Sequence, residues 1–314
     1  MTLLLAVTGW QERPWLDRFR ALLPDRDVIS MNAAFEPASI AYVAAWKPPV
    51  GLLATLPNLK AILYLGAGVD HVLADESLPS VPLVRVVDHD LTTRMSEWVV
   101  MNCLMQLRGA NAMRIAQNER LWLDQDDPPP ASKVRVGMMG LGVLGRDAAT
   151  KLRIMGFDVA GWSRTPKQVD GLQTYAGEQS LDAFLARTEI LVVLLPLTPE
   201  TRGCLDTALF ARLARDGRLG GPILINAGRG GLQVETDILA CLDAGLLQHA
   251  VLDVFETEPL PALSPLWLHP HVTITPHNSA GSDPEAVAAY VVRQLRLHEA
   301  GQPMETIVNR ERGY

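Results

Sequence analysis

An α/β chain of two domains, each built on a parallel sheet, is what this sequence predicts. Three observations carry that expectation. Strand-like and helix-like stretches alternate from the first residue, a glycine trio lies between a strand and a helix at mid-chain, and six strand-like runs follow one another after Lys133. Alternation of this kind gives a parallel sheet with helices on its faces. A length of 314 residues leaves room for about two domains at roughly 150 residues each.

In chain order, LLLAVTG reads as a strand and WLDRFRALLP as a helix. LKAILYLGAGVDHV reads as a strand running into a glycine turn, and VPLVRVVD as a further strand. The opening MTLLLAVTGW has no basic residue ahead of its apolar run and no small-residue cleavage site, so it reads as a first strand and not as a signal peptide. Residues 94–120 read as one long helix, and the loop DQDDPPPAS follows, where three prolines cannot continue it. KVRVGMM, DVAGW, EILVVLL, GPILIN, AVLDV and VTIT then supply six strands of a doubly wound, Rossmann-type dinucleotide-binding domain. EAVAAYVVRQLRLHEAG closes the chain as an amphipathic helix that returns to the first domain. The expected domains are residues 1–93, completed by the C-terminal helical segment 284–314, and residues 94–283.

Composition narrows the function. A net charge of −7 with 48% hydrophobic and 20% charged residues describes a mildly acidic globular protein. No basic stripe marks a nucleic-acid binder, and no apolar run approaches a membrane span. The three cysteines are far apart and the seven histidines lack a helical metal spacing, while HPH at 269–271 reads as a turn. The expectation is a cytoplasmic protein without a metal site.

VRVGMMGLGVLGRDAATKL places Gly140, Gly142 and Gly145 in GxGxxG order after a strand and before a helix. There the glycines permit a tight turn and close approach of a pyrophosphate, and the N–H groups at Val143 and Leu144 open the helix towards it. Eighteen residues past Gly145, GWSRTPK sets Ser163 and Arg164 where such a strand often ends in an acid. A carboxylate there would bond the adenine ribose and repel a 2′-phosphate. Serine removes the repulsion, Arg164 can pair with the phosphate, and Thr165 and Lys167 continue the loop. One charge-assisted hydrogen bond is worth about 1.5–3 kcal/mol, and about 1.4 kcal/mol is tenfold in affinity. NADPH is therefore expected to be preferred at least about tenfold, with NADH the weaker alternative. An Arg164 that only stacks on adenine would instead leave dual specificity.

Ligands of an open parallel sheet lie beyond the carboxyl ends of its strands. There ILVVLLPLTPET delivers Leu195, Pro196, Thr198 and Thr201, and ILINAGRGG delivers Asn226, Ala227, Gly228 and Arg229. AVLDVFETEPLP delivers Asp253 and Glu258, and VTITPHNSAG delivers Pro276, His277 and Asn278. An arginine, two acids and a histidine delivered by these strand ends are harder to dismiss as loop residues than any one of them alone. Arginine's planar fork can bind carboxylate oxygens, and histidine suits proton transfer near working pH.

VGMMGLGVLG, LLPLTPET, NAGRGG, LDVFETEPLP and TITPHNSAG, in that order, resemble the D-2-hydroxyacid dehydrogenase family. YLGAGVDHV, WSRTPK, SPLWLHPHVTITPH and the terminal RGY resemble its branch that reduces glyoxylate and hydroxypyruvate. The resemblance implies a Rossmann-type cofactor domain, a smaller flavodoxin-like substrate domain and a homodimer formed through the cofactor domain. It places the substrate-binding arginine on Arg229, the histidine-orienting carboxylate on Glu258 and the acid/base on His277. It also places the acid that holds the nicotinamide carboxamide on Asp253. The loop Leu65 to Val69, with Ala67 and Gly68, falls on the family's substrate-carboxylate loop. Trp46 and Lys47 are candidates for the pocket wall, and Trp122 for a residue reaching a neighbouring subunit. Two alternatives remain open. One is an NAD-dependent member acting on another substrate such as 3-phosphoglycerate, against which stand Ser163, Arg164 and the lack of a regulatory extension after Tyr314. The other is a non-catalytic dinucleotide-sensing scaffold.

Overall fold

A computed structural model describes residues 1–124 and 128–313; the DQDD part of the expected boundary loop thus lies partly outside the described residues. The chain divides into two compact units, Met1–Leu91 with Ser282–Tyr314, and Thr92–Gly281.

The first unit holds β1 (Thr2–Val7), β2 (Val28–Ser30), β3 (Ile40–Trp46), β4 (Ala61–Tyr64) and β5 (Leu83–Arg85), all parallel in the order β2-β1-β3-β4-β5. Its helices are α1 (Glu12–Leu22), the single turn α2 (Asp70–Leu73) and, from the end of the chain, α9 (Pro284–Glu299). Side chains alternate across a strand, so Leu3, Leu5 and Val7 pack with Trp15, Phe19, Val287 and Val291, while Leu4 and Ala6 join Val43, Leu53 and Val72 on the opposite face. With both faces covered, β1 is buried throughout, which is why it reads as an unbroken apolar run. The sequence reading passed over β2 and β3. IAYVAAW is rich in alanine, a helix former, yet it is the middle strand, because burial on both faces outweighs propensity. Asp283 caps α9 by accepting from the Glu285 and Ala286 N–H groups, with Pro284 in the first turn. The helix does not continue to 314 as expected. It stops at Glu299, Gly301 takes the left-handed conformation that ends helices, and the chain turns back to pair Ile307 with Val84.

The second unit opens with α3 (His89–Leu107), which starts just before the division, and α4 (Ala110–Glu119). The expected single helix over 94–120 is thus broken, because Gly109 adopts φ +60° between the two. Its strands are β6 (Arg135–Met139), β7 (Asp158–Ser163), β8 (Gln173–Ala176), β9 (Ile190–Val193), β10 (Ile223–Asn226), β11 (His249–Leu252) and β12 (Val272–Ile274). They form a seven-stranded parallel sheet in the order β12-β11-β10-β9-β6-β7-β8, one strand more than the six expected. The extra strand, β8, is a polar edge strand without a fully buried residue, so it carries no apolar run to betray it. One face packs Val136, Met138 and Ile225 against α3 and α5 (Val143–Ile154). The other packs Leu191, Val193 and Leu224 against α6 (Leu181–Ala186), α7 (Thr207–Phe210) and α8 (Glu235–Asp243). The chain leaves β6 in one direction for β7 and β8, then crosses back to β9. The ligand crevice of a doubly wound sheet belongs at this reversal, between the carboxyl ends of β6 and β9. No helix is long and apolar enough to cross a membrane among the described residues.

Candidate active site

The glycine trio sits at that reversal, and the three positions do different work. Gly140 has φ +111°, and a Cβ there would lie 2.7 Å from the Leu194 carbonyl oxygen. At Gly145 a Cβ would lie 1.9 Å from the Gly140 carbonyl oxygen, so helix and turn close on each other only without it. At Gly142 nothing stands within 4 Å. Packing does not explain that glycine; the open space leaves its backbone accessible to a ligand. Gly142 is the N-cap of α5 and no side chain caps the helix, which leaves the amides of its first turn, from Val143 and Leu144 onward, for an anion. Such a cradle fits a dinucleotide pyrophosphate.

Met139 pairs with Trp162, so the end of β7 adjoins the glycine turn. Ser163 is 8% exposed and its hydroxyl donates to the Thr165 carbonyl at 2.8 Å, fixing the bend after the strand. Arg164, Thr165 and Lys167 follow on an exposed loop. The Glu200 carboxyl is held below its usual range, first by a hydrogen bond with Thr198 and also by the charge of Arg164. After β9, the Thr201 hydroxyl donates to the Pro196 carbonyl and accepts from the Thr198 N–H, both at 2.8 Å. Its role in the structure is to shape the turn that carries Leu195 and Pro196.

Past β10, Asn226 is fully buried. Its Oδ1 accepts from the Gly228 N–H at 3.0 Å, and its Nδ2 donates to Gln233 at 2.9 Å and to the Arg229 carbonyl at 3.2 Å. Gln233 passes the tie on to the Val254 carbonyl at 2.9 Å. Asn226 thus builds the turn that presents Ala227, Gly228 and Arg229. Arg229 is half-buried with extended backbone, and one of its guanidinium nitrogens donates to the Gly228 carbonyl at 2.8 Å. Gly230 must be glycine because a Cβ would lie 1.9 Å from the Phe255 carbonyl.

Asp253, fully buried after β11, accepts from the Asn278 N–H at 3.0 Å, from the Ser279 N–H at 3.1 Å and from the Thr275 hydroxyl. Its own carbonyl takes the His277 N–H at 2.8 Å. Asp253 therefore clamps the turn on which His277 stands, in addition to any contact with a nicotinamide. His277 is held at φ +49°, a conformation uncommon for a side chain of its size. Its Nδ1 lies 2.7 Å from Glu258 Oε2, while Glu258 Oε1 accepts from the Phe255 N–H at 3.0 Å. An ionised carboxylate only accepts, so Nδ1 carries the proton in this pair and the tautomer is set. Close approach of Gly230 to Phe255 and the cis peptide at Glu258–Pro259 belong to the same corner.

The family profile described as D-isomer specific 2-hydroxyacid dehydrogenase, NAD binding domain, matches residues 100–279. The chain belongs to this family. It is 39% identical over 312 residues to glyoxylate/hydroxypyruvate reductase A of Yersinia enterocolitica, covering 97% of each chain. It is 40% identical over 307 residues to the protein of the same name in Serratia proteamaculans, covering 96% of each. Among solved structures, the NADPH-dependent glyoxylate/hydroxypyruvate reductase of Sinorhizobium meliloti, in complex with NADP and sulfate, superposes with a TM-score of 0.94 at 47% identity. That match covers 100% of this chain and 99% of the other. The D-isomer specific 2-hydroxyacid dehydrogenase of Xanthobacter autotrophicus Py2, in complex with NADPH and MES, gives 0.93 at 39% identity, with the same coverage. The enzyme is an oxidoreductase of this family, and both its sheets are those of the α/β architecture expected from the sequence.

In the first unit, the loop Leu65 to Val69 leaves the carboxyl end of β4. Its backbone is tied by the Leu65 N–H to the Ala45 carbonyl at 2.8 Å and by the Val86 N–H to the Gly66 carbonyl at 3.1 Å. Ala67 and Gly68 are half-exposed and Val69 is buried. Trp46 ends the neighbouring β3 and its ring fills the space a Gly66 side chain would need, with Cζ3 2.3 Å from the ideal Cβ position. Lys47 follows at φ +45° with its ammonium 5.7 Å from the Trp46 ring centroid. Sequence reasoning missed Trp10, which stacks on Trp46 at 4.4 Å, and Gln233 and Ser279, which hold the turns beneath Arg229 and His277. Only Trp10 left a signal, as an aromatic just past the first strand. Among the described residues no group of three histidines, cysteines or acids converges as a metal site, and all three cysteines are free thiols.

Proposed function

We propose that the enzyme reduces small 2-keto acids, glyoxylate and hydroxypyruvate, to glycolate and D-glycerate with NADPH. The observation that carries this reading is the Glu258–His277 pair at 2.7 Å, with both carboxylate oxygens engaged and the ring's Nδ1 proton fixed. His277 is then left with Nε2 to give a proton to the substrate's carbonyl oxygen as it becomes a hydroxyl. Glu258 keeps the ring oriented. Arg229, on the turn built by Asn226, binds the carboxylate and carbonyl oxygens through its planar fork and offsets negative charge growing on the carbonyl oxygen. The bound nicotinamide supplies the hydride for C2. Gly142 with the Val143 and Leu144 amides holds its pyrophosphate; Ala227, Gly228, Asp253 and Asn278 line the nicotinamide end, and Leu195, Pro196 and Thr201 the adjacent wall.

NADPH over NADH rests on Ser163, Arg164, Thr165 and Lys167, and is supported by the NADP and NADPH complexes of the Sinorhizobium and Xanthobacter relatives. In the first unit, read as the substrate domain, the Ala67–Val69 amides and Trp46 meet the keto acid. The second unit is read as the dinucleotide domain. We assign the working form as a homodimer in the cytoplasm. Support comes from Met101, Met113, Ile115, Leu121, Trp122 and Leu123, apolar side chains exposed on α3, α4 and the segment after it. A second copy of the chain is the occupant that would bury them.

Initial rates with glyoxylate, hydroxypyruvate and pyruvate, each with NADPH and NADH, test the reading directly. NADPH-dependent turnover of the first two is expected. His277→Ala is expected to lose about two to four decades of kcat, and Glu258→Gln at least about tenfold. Near-normal turnover of His277→Ala refutes the assignment, and dinucleotide binding without turnover of any substrate moves it to a sensing scaffold.

A further inference from the structure

At the carboxyl edge of the five-stranded sheet, three tryptophans from different parts of the chain stack in series. Trp15 of α1 lies 5.4 Å from Trp10, and Trp10 lies 4.4 Å from Trp46, with planes within 13° and 14° of parallel. Trp10 thus has two near-parallel rings as neighbours. Arg18 sits 5.9 Å from the outer Trp15 ring, and Lys47 sits 5.7 Å from the Trp46 ring. Beyond Trp46 are Tyr64, 5.6 Å away and tilted, and the Gly66 backbone, against which the Trp46 ring is pressed. Trp10 stands on a bend after β1 made possible by Gly9 at φ +80°, and the Thr8 N–H anchors that bend to the Trp46 carbonyl at 3.0 Å.

This arrangement exceeds what the core requires. Trp15 is buried at 8% exposure and serves packing, but Trp10 is 38% exposed, and a large aromatic at the strand edge has no core to complete. What it does is stack on Trp46. Trp46 is held by Tyr64, by the Gly66 turn and by Trp10, and parallel offset rings hold one another in a single orientation. The loop beginning at Gly66 carries the amides assigned above to the substrate carboxylate, so the pose of Trp46 and the pose of that loop are one structure.

We infer that Trp10 is a positioning and specificity-determining residue: it clamps Trp46 against the Gly66 turn, and so sets the space left for the side chain of the 2-keto acid at two to three carbons. The inference rests on the reductase reading above. With Trp10 in place the Trp46 ring is a fixed wall, and a longer or branched keto acid must displace a three-ring stack to enter.

The test compares wild type, Trp10→Ala, Trp10→Leu and Trp10→Phe with glyoxylate and 2-ketobutyrate at saturating NADPH. In Trp10→Ala, KM for glyoxylate is expected to rise about tenfold with kcat little changed, and the ratio of kcat/KM for 2-ketobutyrate over glyoxylate to rise about tenfold. Trp10→Phe, which retains a stacking ring, is expected to restore both values. A merely structural role would lower the active fraction and scale both substrates together, leaving that ratio where it was. An unchanged ratio in Trp10→Ala overturns the inference. If Trp10→Ala does not fold, Trp10→Leu fills the slot without a ring and is read the same way. The near-UV circular dichroism couplet of the stacked tryptophans, lost in the leucine variant and not in a distant control, reports that the stack itself was removed. Failure of the wild type to reduce glyoxylate would refute the reductase reading and not the clamp; a reducing wild type with unaltered selectivity in the variants refutes the clamp alone.

Discussion

Replacing Arg164 with alanine is expected to weaken NADPH about tenfold and leave NADH nearly untouched. The magnitude follows from the setting of the side chain. A guanidinium bonded to a phosphate is worth about 1.5–3 kcal/mol, but Arg164 stands on an exposed loop past β7, where solvent screening pulls the value to the lower end. Glu200 shares its field, since the charge of Arg164 is among the causes that hold that carboxyl below its usual range. About 1.4 kcal/mol, or tenfold, is what remains. The same setting gives a second arm of opposite sign: Glu200→Gln removes a negative charge near Arg164 and is expected to tighten NADPH a few-fold. KM for each dinucleotide, taken from initial rates at saturating glyoxylate, reads both arms. A parallel loss for NADPH and NADH in Arg164→Ala would mean that the residue braces the loop without touching the 2′-phosphate, and would refute the reasoning.

Three further outcomes are expected from the same fold. Gly145→Ala places a methyl 1.9 Å from a backbone oxygen that cannot yield, so it is expected to destabilise the protein by about 1–3 kcal/mol. Gly142→Ala meets open space and is expected to keep the wild-type Tm yet lose dinucleotide affinity; a fluorescence titration showing wild-type NADPH binding would remove the pyrophosphate from that turn. His249, buried at the start of β11 with Asn111 and Thr273 on its ring, has its pKa lowered from 6.5 to about 4 by burial and then by His271 and His269. The unfolded chain therefore binds a proton that the fold refuses. Stability is full above about pH 6.5 and is lost as pH falls towards 4, by at most roughly 3 kcal/mol. Urea midpoints at pH 7 and pH 5 should converge in His249→Gln, and an unchanged pH slope in that variant would count against the assignment.

Legibility in the sequence followed the physics of each element. Strands buried on both faces, such as β6, β9 and β10, announced themselves as apolar runs, and the glycine trio announced the turn after β6. The polar edge strand β8 and the alanine-rich middle strand β3 carried no such mark, because a strand is specified by its neighbours as much as by its own residues. Arg229, Glu258 and His277, to which we assign the chemistry, were visible because they lie in the segments that follow β10, β11 and β12 and match the family's motifs. Asn226 was named but not its part in building the turn, and Gln233 and Ser279 were missed, since they act through hydrogen bonds to Val254 and Asp253, segments more than twenty residues away, which no local pattern encodes. Trp10 belongs with them, since its stacking on Trp46, thirty-six residues away, is set by the pairing of β1 with β3 and not by local sequence.

The return of α9 to the first unit also orders the birth of the protein. Residues 92–281 are contiguous and can collapse as they emerge, but the face of the first unit's sheet that α1 shares with Val287, Val291 and Leu295 is complete only once α9 has been made. About 190 residues of synthesis separate the two, roughly 10–40 s at 5–20 residues per second. For that interval the nascent N-terminal sheet has this face covered by α1 alone, and the aliphatic patch awaiting α9 is where ribosome-bound holdases would have their longest hold on the chain.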